Sequence, residues 1–366
     1  DRLQVPFALT PTGELEYIRE AAHSTERILH VGDATGRAIE ERLVAALRAQ
    51  PNVTILSRHT AVDLLTPAHH ARNRLAVYEP LSCVGAYVFD QDTGKVRTIL
   101  ARKVILATGG LGRIFLHTTN PPGARGDGLA MAYRAGARII NAEFVQFHPT
   151  AFYYRGNAEF LISEALRGAG GRLLNAAGEP FMARYAPEWK DLAPRDEVAR
   201  SIHEEMLHTG ANCVYLDLKS YLPRDQILSH FPTIYEACLR YGVDITHDVI
   251  PVVPAAHYFC GGVWVDLDGR STLRNLYAVG EVSCTGVHGA NRLGSASLLE
   301  GLLWGWRAAA DALATLADTP LIEPDSIPPW YDADLVDGAD LALIRQDMIT
   351  IQHIMWNYVG LVRTTR

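Results

Sequence analysis

The chain has 366 residues, 48% hydrophobic and 20% charged, with a formal net charge of −7. That length supports more than one domain with a real core. The acidic balance gives no electrostatic case for a nucleic-acid partner, and no apolar run reaches the ~18 residues that a membrane span needs.

The start, DRLQVPFALTPTG, lacks the basic and apolar regions of a signal peptide. Five scattered cysteines without a C-x-x-C pair argue against a disulfide framework, a structural zinc site or an iron–sulfur cluster, and fit a reducing, cytoplasmic setting. Asp1 at the start and LVRTTR at the end read as cut ends. From Thr35 to Gln50, Ile39, Leu43, Val44 and Leu47 share one helical face, and Pro51 stops the helix. Residues 52–56 read as a strand, making the αβ half of a doubly wound unit. Ala61–Leu65, Gly85–Asp90 and Val96–Ala101 read as antiparallel strands, with Asp92-Thr93-Gly94-Lys95 as a hairpin turn. Lys103–Ala107 is a buried strand running into Thr108-Gly109-Gly110, and Gly126-Asp127-Gly128 opens a helix.

Composition shifts near Asn141 toward Pro, Tyr and His, with helices at Arg195–Leu207 and Pro223–Leu228. We expect four stretches: residues 1–141 and 259–325 as the two parts of a Rossmann-like α/β domain, 142–258 as an inserted α+β domain, and 326–366 as the start of a helical one. The sheet resumes at 261–266 and continues to a strand at Leu276–Val279. A loop rich in Gly, Ser and Asn follows, then an apolar helix with Leu298, Leu302 and Trp306 at four-residue spacing. Ser297 and Glu300 form an S-x-x-E capping-box pattern at its start. A strand, a small-residue loop and a helix N-terminus together suit an anionic cofactor group. Residues 319–330 read as a proline-rich linker, and the tail from Gly338 has helical spacing through Leu341, Ile344, Met348, Ile351 and Met355.

Polar residues stand out in short stretches dense in Gly, Pro or small side chains: His148 in QFHPT, Glu164 and Arg167 in SEALRGAGG, Arg195 in APRDEVAR, His257 in PAAHYFCGG, Arg292 in HGANRLG and Glu20 in REAAHS. Two arginines and two histidines converging on one cleft would bind a small dianion, because a guanidinium grips a carboxylate through two parallel N–H bonds. Singly, each has a plainer reading. A lone His is more often a hydrogen-bonded structural residue, and Glu164–Arg167 alone is an ordinary i,i+3 ion pair.

Together, GEVSCTGVHGANRLGSASLLEGLLWG, VQFHPT, SEALRGAGG, LAPRDEVAR and PAAHYFCGGVWVD resemble the flavoprotein family of fumarate reductase, succinate dehydrogenase and L-aspartate oxidase, over about Glu20–Arg366. REAAHSTERILHVGDATGR, HGANRLGSASLLE and MWNYVGLVRT are most similar to its aspartate-oxidising branch. The resemblance implies a non-covalent FAD domain split by a capping domain, then a helical domain. It implies that Glu281 and Asp127 contact FAD and that Ser297 and Leu298 offer backbone N–H groups to the flavin ring. It further implies that Arg292 and His257 hold one substrate carboxylate, that His148 with Ser163 holds the other, and that Arg195 sits beside the reacting carbons. Glu164 and Arg167 would line a proton path to Arg195, and Glu20 would pair with a substrate ammonium. The implied reaction is oxidation of L-aspartate to iminoaspartate with O2 or fumarate as acceptor, feeding quinolinate and NAD synthesis with quinolinate synthase as a partner. Two alternatives stay open: a soluble fumarate reductase or succinate dehydrogenase flavoprotein, and a truncated, inactive chain that binds a dicarboxylate but not FAD. The family's GxGxxG unit is absent from the sequence, and its RGEGG reads RGAGG here, with Ala169 replacing an acid.

Overall fold

The computed structural model describes residues 3–19, 23–32, 34–331 and 340–363. Its largest sheet is five-stranded and antiparallel throughout, and is built from residues 145–259. The strand order is Arg172–Leu174, Val214–Asp217, Ile250–Phe259, Val145–Tyr154, Asn157–Leu161. The helices Arg195–Thr209, Arg224–His230 and Pro232–Leu239 belong to the same stretch. Phe152, Leu166, Leu173, Ile202, Leu216 and Ile227, all fully buried, lie in the core that joins them.

The two long central strands each carry proline inside a ladder, where proline is normally confined to edges and bulges. Their pairing is irregular at those points: the register shifts between Val253 and Ala255, around Pro254, and again between Ala256 and Tyr258, at His257. Ala255 pairs with His148, so the irregular ladder brings the two motif histidines together.

Three antiparallel strands, His59–Leu65, Gly85–Asp90 and Lys95–Leu100, form a second sheet as the alternation predicts. In its hairpin turn Gly94 takes φ 67°, and its N–H closes onto Asp90 O at 2.9 Å. Val104–Leu106 and Leu276–Ala278 pair in parallel. Both run into glycine-bearing turns, so the carboxyl ends of a parallel pair share one edge, which is where open α/β sheets bind ligands.

The structure departs from several expectations. Residues 52–56 form no strand: they are exposed turn and irregular backbone, with no ladder partner among the described residues. The helix before them, Thr35–Arg48, buries no residue, and Leu43 and Leu47 stay exposed. The Ala296–Thr315 helix has the expected apolar stripe, but Leu298, Leu302 and Trp306 are 37%, 42% and 71% exposed. Its fully capped start is also absent. Ser295 is the N-cap in left-handed geometry, without a side-chain cap bond, and Ser297 and Glu300 have other partners. The tail helix spans Leu341–Val359 and is capped by Asp340, whose Oδ1 accepts the Ala342 N–H at 2.8 Å. No described helix is long and apolar enough to cross a membrane.

Candidate functional site

The site assembles where the two proline-bearing strands meet the loop after Leu276–Ala278. Arg292 is 7% exposed. Its Nη1 donates to Ser297 Oγ and its Nη2 to His257 Nε2, both at 3.0 Å. A guanidinium has no acceptor, so His257 Nε2 must accept. The His257 proton therefore lies on Nδ1, which faces Thr119 Oγ1 at 2.9 Å. The Tyr258 ring lies under the guanidinium at 4.6 Å, a cation–π floor for a desolvated charge. Arg292 has no ion pair among the described residues, and its buried Nε has no hydrogen-bond partner.

The His148 ring centre is 5.3 Å from that of His257. His148 Nδ1 is 3.2 Å from both Thr150 N and Thr150 O. Burial, then the nearness of His257 and the charges of Arg195 and Arg167, hold the His148 pKa well below the ordinary value. Burial, then Arg292 and Arg195, lower that of His257 to about 3. Both rings are thus neutral near pH 7, and the positive charge of the cleft rests on its arginines.

Arg195 is the first residue of its helix, set by Pro194. Its Nε and Nη2 grip Glu164 in a bidentate pair at 2.8 and 2.7 Å. Glu164 also lies 3.8 Å from Arg167, which is 3% exposed and donates to Asp191 O at 2.5 Å. The i,i+3 pair foreseen from sequence exists, but the closer partner of Glu164 is Arg195. Ser163 Oγ accepts the Ala165 N–H at 3.2 Å and keeps its own proton to donate. Glu20 lies outside the described residues. His23, three residues on, is buried, with Nε2 3.1 Å from Gly294 O of the Arg292 loop.

The residues expected to meet a flavin collect at the ends of the parallel strands. Glu281 Oε1 accepts the Phe259 N–H at 2.8 Å, and its side chain fills the place a Cβ on Gly110 would need, 2.2 Å from that same oxygen. Burial raises the Glu281 pKa. The turn before Asp127 docks here too, since Gly126 N–H bonds Gly110 O at 3.1 Å and a Cβ on Gly128 would strike Thr108 Oγ1. Asp127 itself is half-exposed, 3.5 Å from Arg125. Ser297 and Leu298 lie in the first turn of a 20-residue helix, where backbone N–H groups have no intrahelical acceptor. Gly109 and Gly280 both have positive φ and open space where a side chain would stand. An open strand edge facing a helix N-terminus fits a flavin, whose reduced ring carries negative charge that the helix end stabilises.

Sequence reasoning missed several participants. Glu300, read as a cap, is a buried carboxylate that accepts from Thr285 Oγ1 at 2.6 Å and Tyr258 OH at 2.9 Å and lies 2.8 Å from His288 Nε2. Burial pushes its pKa up, but the bonds with His288 and Thr285 outweigh burial and the net shift is downward. Thr119, Tyr258, Gln146 and Asn291 were also passed over, although the last three stand inside or beside the quoted motifs and so could have been found there.

A model of the family described as FAD binding domain matches residues 1–298. An L-aspartate oxidase of Pseudomonas aeruginosa is 48% identical over 356 residues, covering 97% of this chain and 64% of that relative. L-aspartate oxidase 1 of Ralstonia nicotianae is 48% identical over 364 residues, covering 99% of this chain and 66% of the relative. This chain thus spans a little under two thirds of the length of the relatives it matches. Among solved structures, a variant of E. coli quinol fumarate reductase FrdA superimposes with a TM-score of 0.84 at 29% identity, over 99% of this chain and 63% of that one. The chain belongs to the FAD-binding-domain family, the flavoproteins that include fumarate reductase and L-aspartate oxidase.

Proposed function

We propose that the protein oxidises L-aspartate to iminoaspartate, with O2 or fumarate as the final acceptor, at the head of quinolinate and NAD synthesis. The relatives named L-aspartate oxidase support this substrate. FAD, when bound, supplies the two-electron acceptor. Asp127, Glu281 and the backbone N–H groups of Ser297 and Leu298 would hold it.

One observation carries the reading: Arg292 is a buried cation without an anionic partner among the described residues, and one of its donors is unused. Such a charge is costly to leave uncompensated, and a substrate carboxylate would supply the missing acceptor. A carboxylate that takes the Nη2 proton of Arg292 releases His257 Nε2 from that bond. His148 and Ser163 would meet the second carboxylate, and Glu20 the ammonium. Arg195, locked by Glu164, would stabilise charge at the reacting carbons through a fixed electrostatic field. If Arg195 instead passes a proton along Glu164 and Arg167, Arg195→Lys should abolish fumarate reduction while leaving fumarate binding intact.

The likeness to fumarate reductases favours a second reading, a fumarate reductase or succinate dehydrogenase flavoprotein. Turnover of aspartate and succinate at matched concentration separates the two. Faster oxidation of aspartate is expected; exclusive oxidation of succinate would sink the first reading. The visible spectrum of the purified protein should show bound flavin. A colourless protein that still binds fumarate would mean that the chain alone is a dicarboxylate binder.

A further inference from the structure

We propose that Asn291 is a positioning residue that fixes the spacing between the two substrate arginines, by tying the loop that carries Arg292 to the helix that opens with Arg195. The inference rests on the reading of those arginines given above.

Three side chains form the tie. Gln146 is 3% exposed. Its Nε2 donates to Asn291 Oδ1 at 2.6 Å and to Arg292 O at 2.7 Å. Asn291 Nδ2 then donates to Asp196 Oδ1 at 3.1 Å. The amide orientations follow from the partners. Arg292 O and the Asp196 carboxylate can only accept, so Gln146 must present its NH2 inward and Asn291 its NH2 outward. Asp196 directly follows Arg195, and its other oxygen takes Arg200 Nη2 at 2.8 Å, which holds it against its own helix. Asn291 directly precedes Arg292. The tie therefore ends one residue from each arginine.

It has work to do because the two guanidiniums repel. The nearness of Arg195, after burial, is a cause of the lowered Arg292 pKa. Like charges on separate elements drift apart unless something holds those elements, and substrate cannot do so before it arrives. A strand side chain that grips the Arg292 carbonyl, and an amide that reaches the Arg195 helix, keep the carboxylate on Arg292 at a set distance from the Arg195 charge beside the reacting carbons. Pre-set geometry of this kind lowers the cost of binding.

The test uses Asn291→Asp, and Asn291→Asp combined with Asp196→Asn. In the single variant the carboxylate introduced at position 291 still accepts from Gln146 but meets the like charge of Asp196. In the double variant the amide introduced at position 196 can donate to that carboxylate, restoring the bond with its direction reversed. The probes are fumarate and crotonate, which has a methyl group in place of one carboxylate. Both are titrated calorimetrically into the oxidised protein, with melting temperature as a fold check. The single variant should weaken fumarate binding about tenfold, on the scale of one charged hydrogen bond. Crotonate, pinned by a single carboxylate, can follow a shift of Arg292 and should change far less, and the double variant should recover fumarate binding to within about threefold. Unchanged fumarate binding in Asn291→Asp overturns the tie while leaving the role of Arg292 standing. Equal losses for both probes without recovery would mean general disruption and also overturn it. A wild-type protein that binds no fumarate overturns both the tie and the proposed function.

Discussion

The five-stranded sheet and the Ala296–Thr315 helix use apolar residues in opposite ways. In the first, Phe152, Ile162, Leu166, Leu173, Val198 and Leu216 are completely buried. In the second, Leu299, Leu303, Trp306 and Leu313 are between 51% and 74% exposed, and the buried residues are Glu300 and Ala308. Apolar periodicity identifies a face that can be covered; it does not say that the same stretch of chain covers it. In the helix, the buried carboxylate shows which side faces the site.

Four measurements would sharpen or break that contrast. The largest effect should come from Phe152→Ala, which removes a ring stacked 4.9 Å from Phe160 in the sheet core; a loss of about 3–5 kcal/mol in urea unfolding is expected. A loss below about 1 kcal/mol would mean that the five-stranded core is not the stable part. Next, Arg292→Ala should weaken fumarate binding by about 2–5 kcal/mol, the range for truncating one side of a buried charge pair. Calorimetry showing intact binding would remove the arginine from the site.

The third measurement is pH dependence. An unfolded histidine takes a proton below its ordinary value of 6.5, whereas folded His257 does so only at about 3. The unfolded state binds more protons between those values, so stability should fall as pH drops from about 6.5 toward 3. His257→Gln should flatten the fall by up to about one proton; parallel wild-type and variant curves would contradict the buried, neutral assignment. The smallest effect is expected for Trp306→Ala on the exposed stripe, within about 0.5 kcal/mol of wild type. A large loss there would mean that the helix face is covered in solution.

Much of the fold was legible wherever local chemistry agrees with the final packing. The Asp92–Lys95 turn between alternating strands and the Pro194 start of the Arg195 helix are such places. The five-stranded sheet was not legible as strands. Its central members carry Pro149, Pro251 and Pro254, which argue against strand from sequence alone; a register shift accommodates Pro149 and Pro254, while Pro251 pairs in regular register with Tyr215. Residues 52–56 show the reverse, since β-branched side chains suggest a strand that lacks a partner among the described residues. The motifs pointed to His148, His257, Arg195 and Arg292, but their facing depends on register, which no local pattern carries. Glu300 was misread because S-x-x-E does not reveal whether the helix starts at the serine or before it.

The Glu281 carboxylate touches two regions at once: the Gly110 turn on the strand-end side and the Phe259 N–H at the end of the strand bearing His257. A single methyl group at position 110 would displace it. Such a wedge acts as a lever, with its short arm in the cofactor-side turn and its long arm reaching a histidine two residues before Phe259. Gly110→Ala, a change in the turn after the Val104–Leu106 strand, should therefore register as a change in how the protein selects its anion.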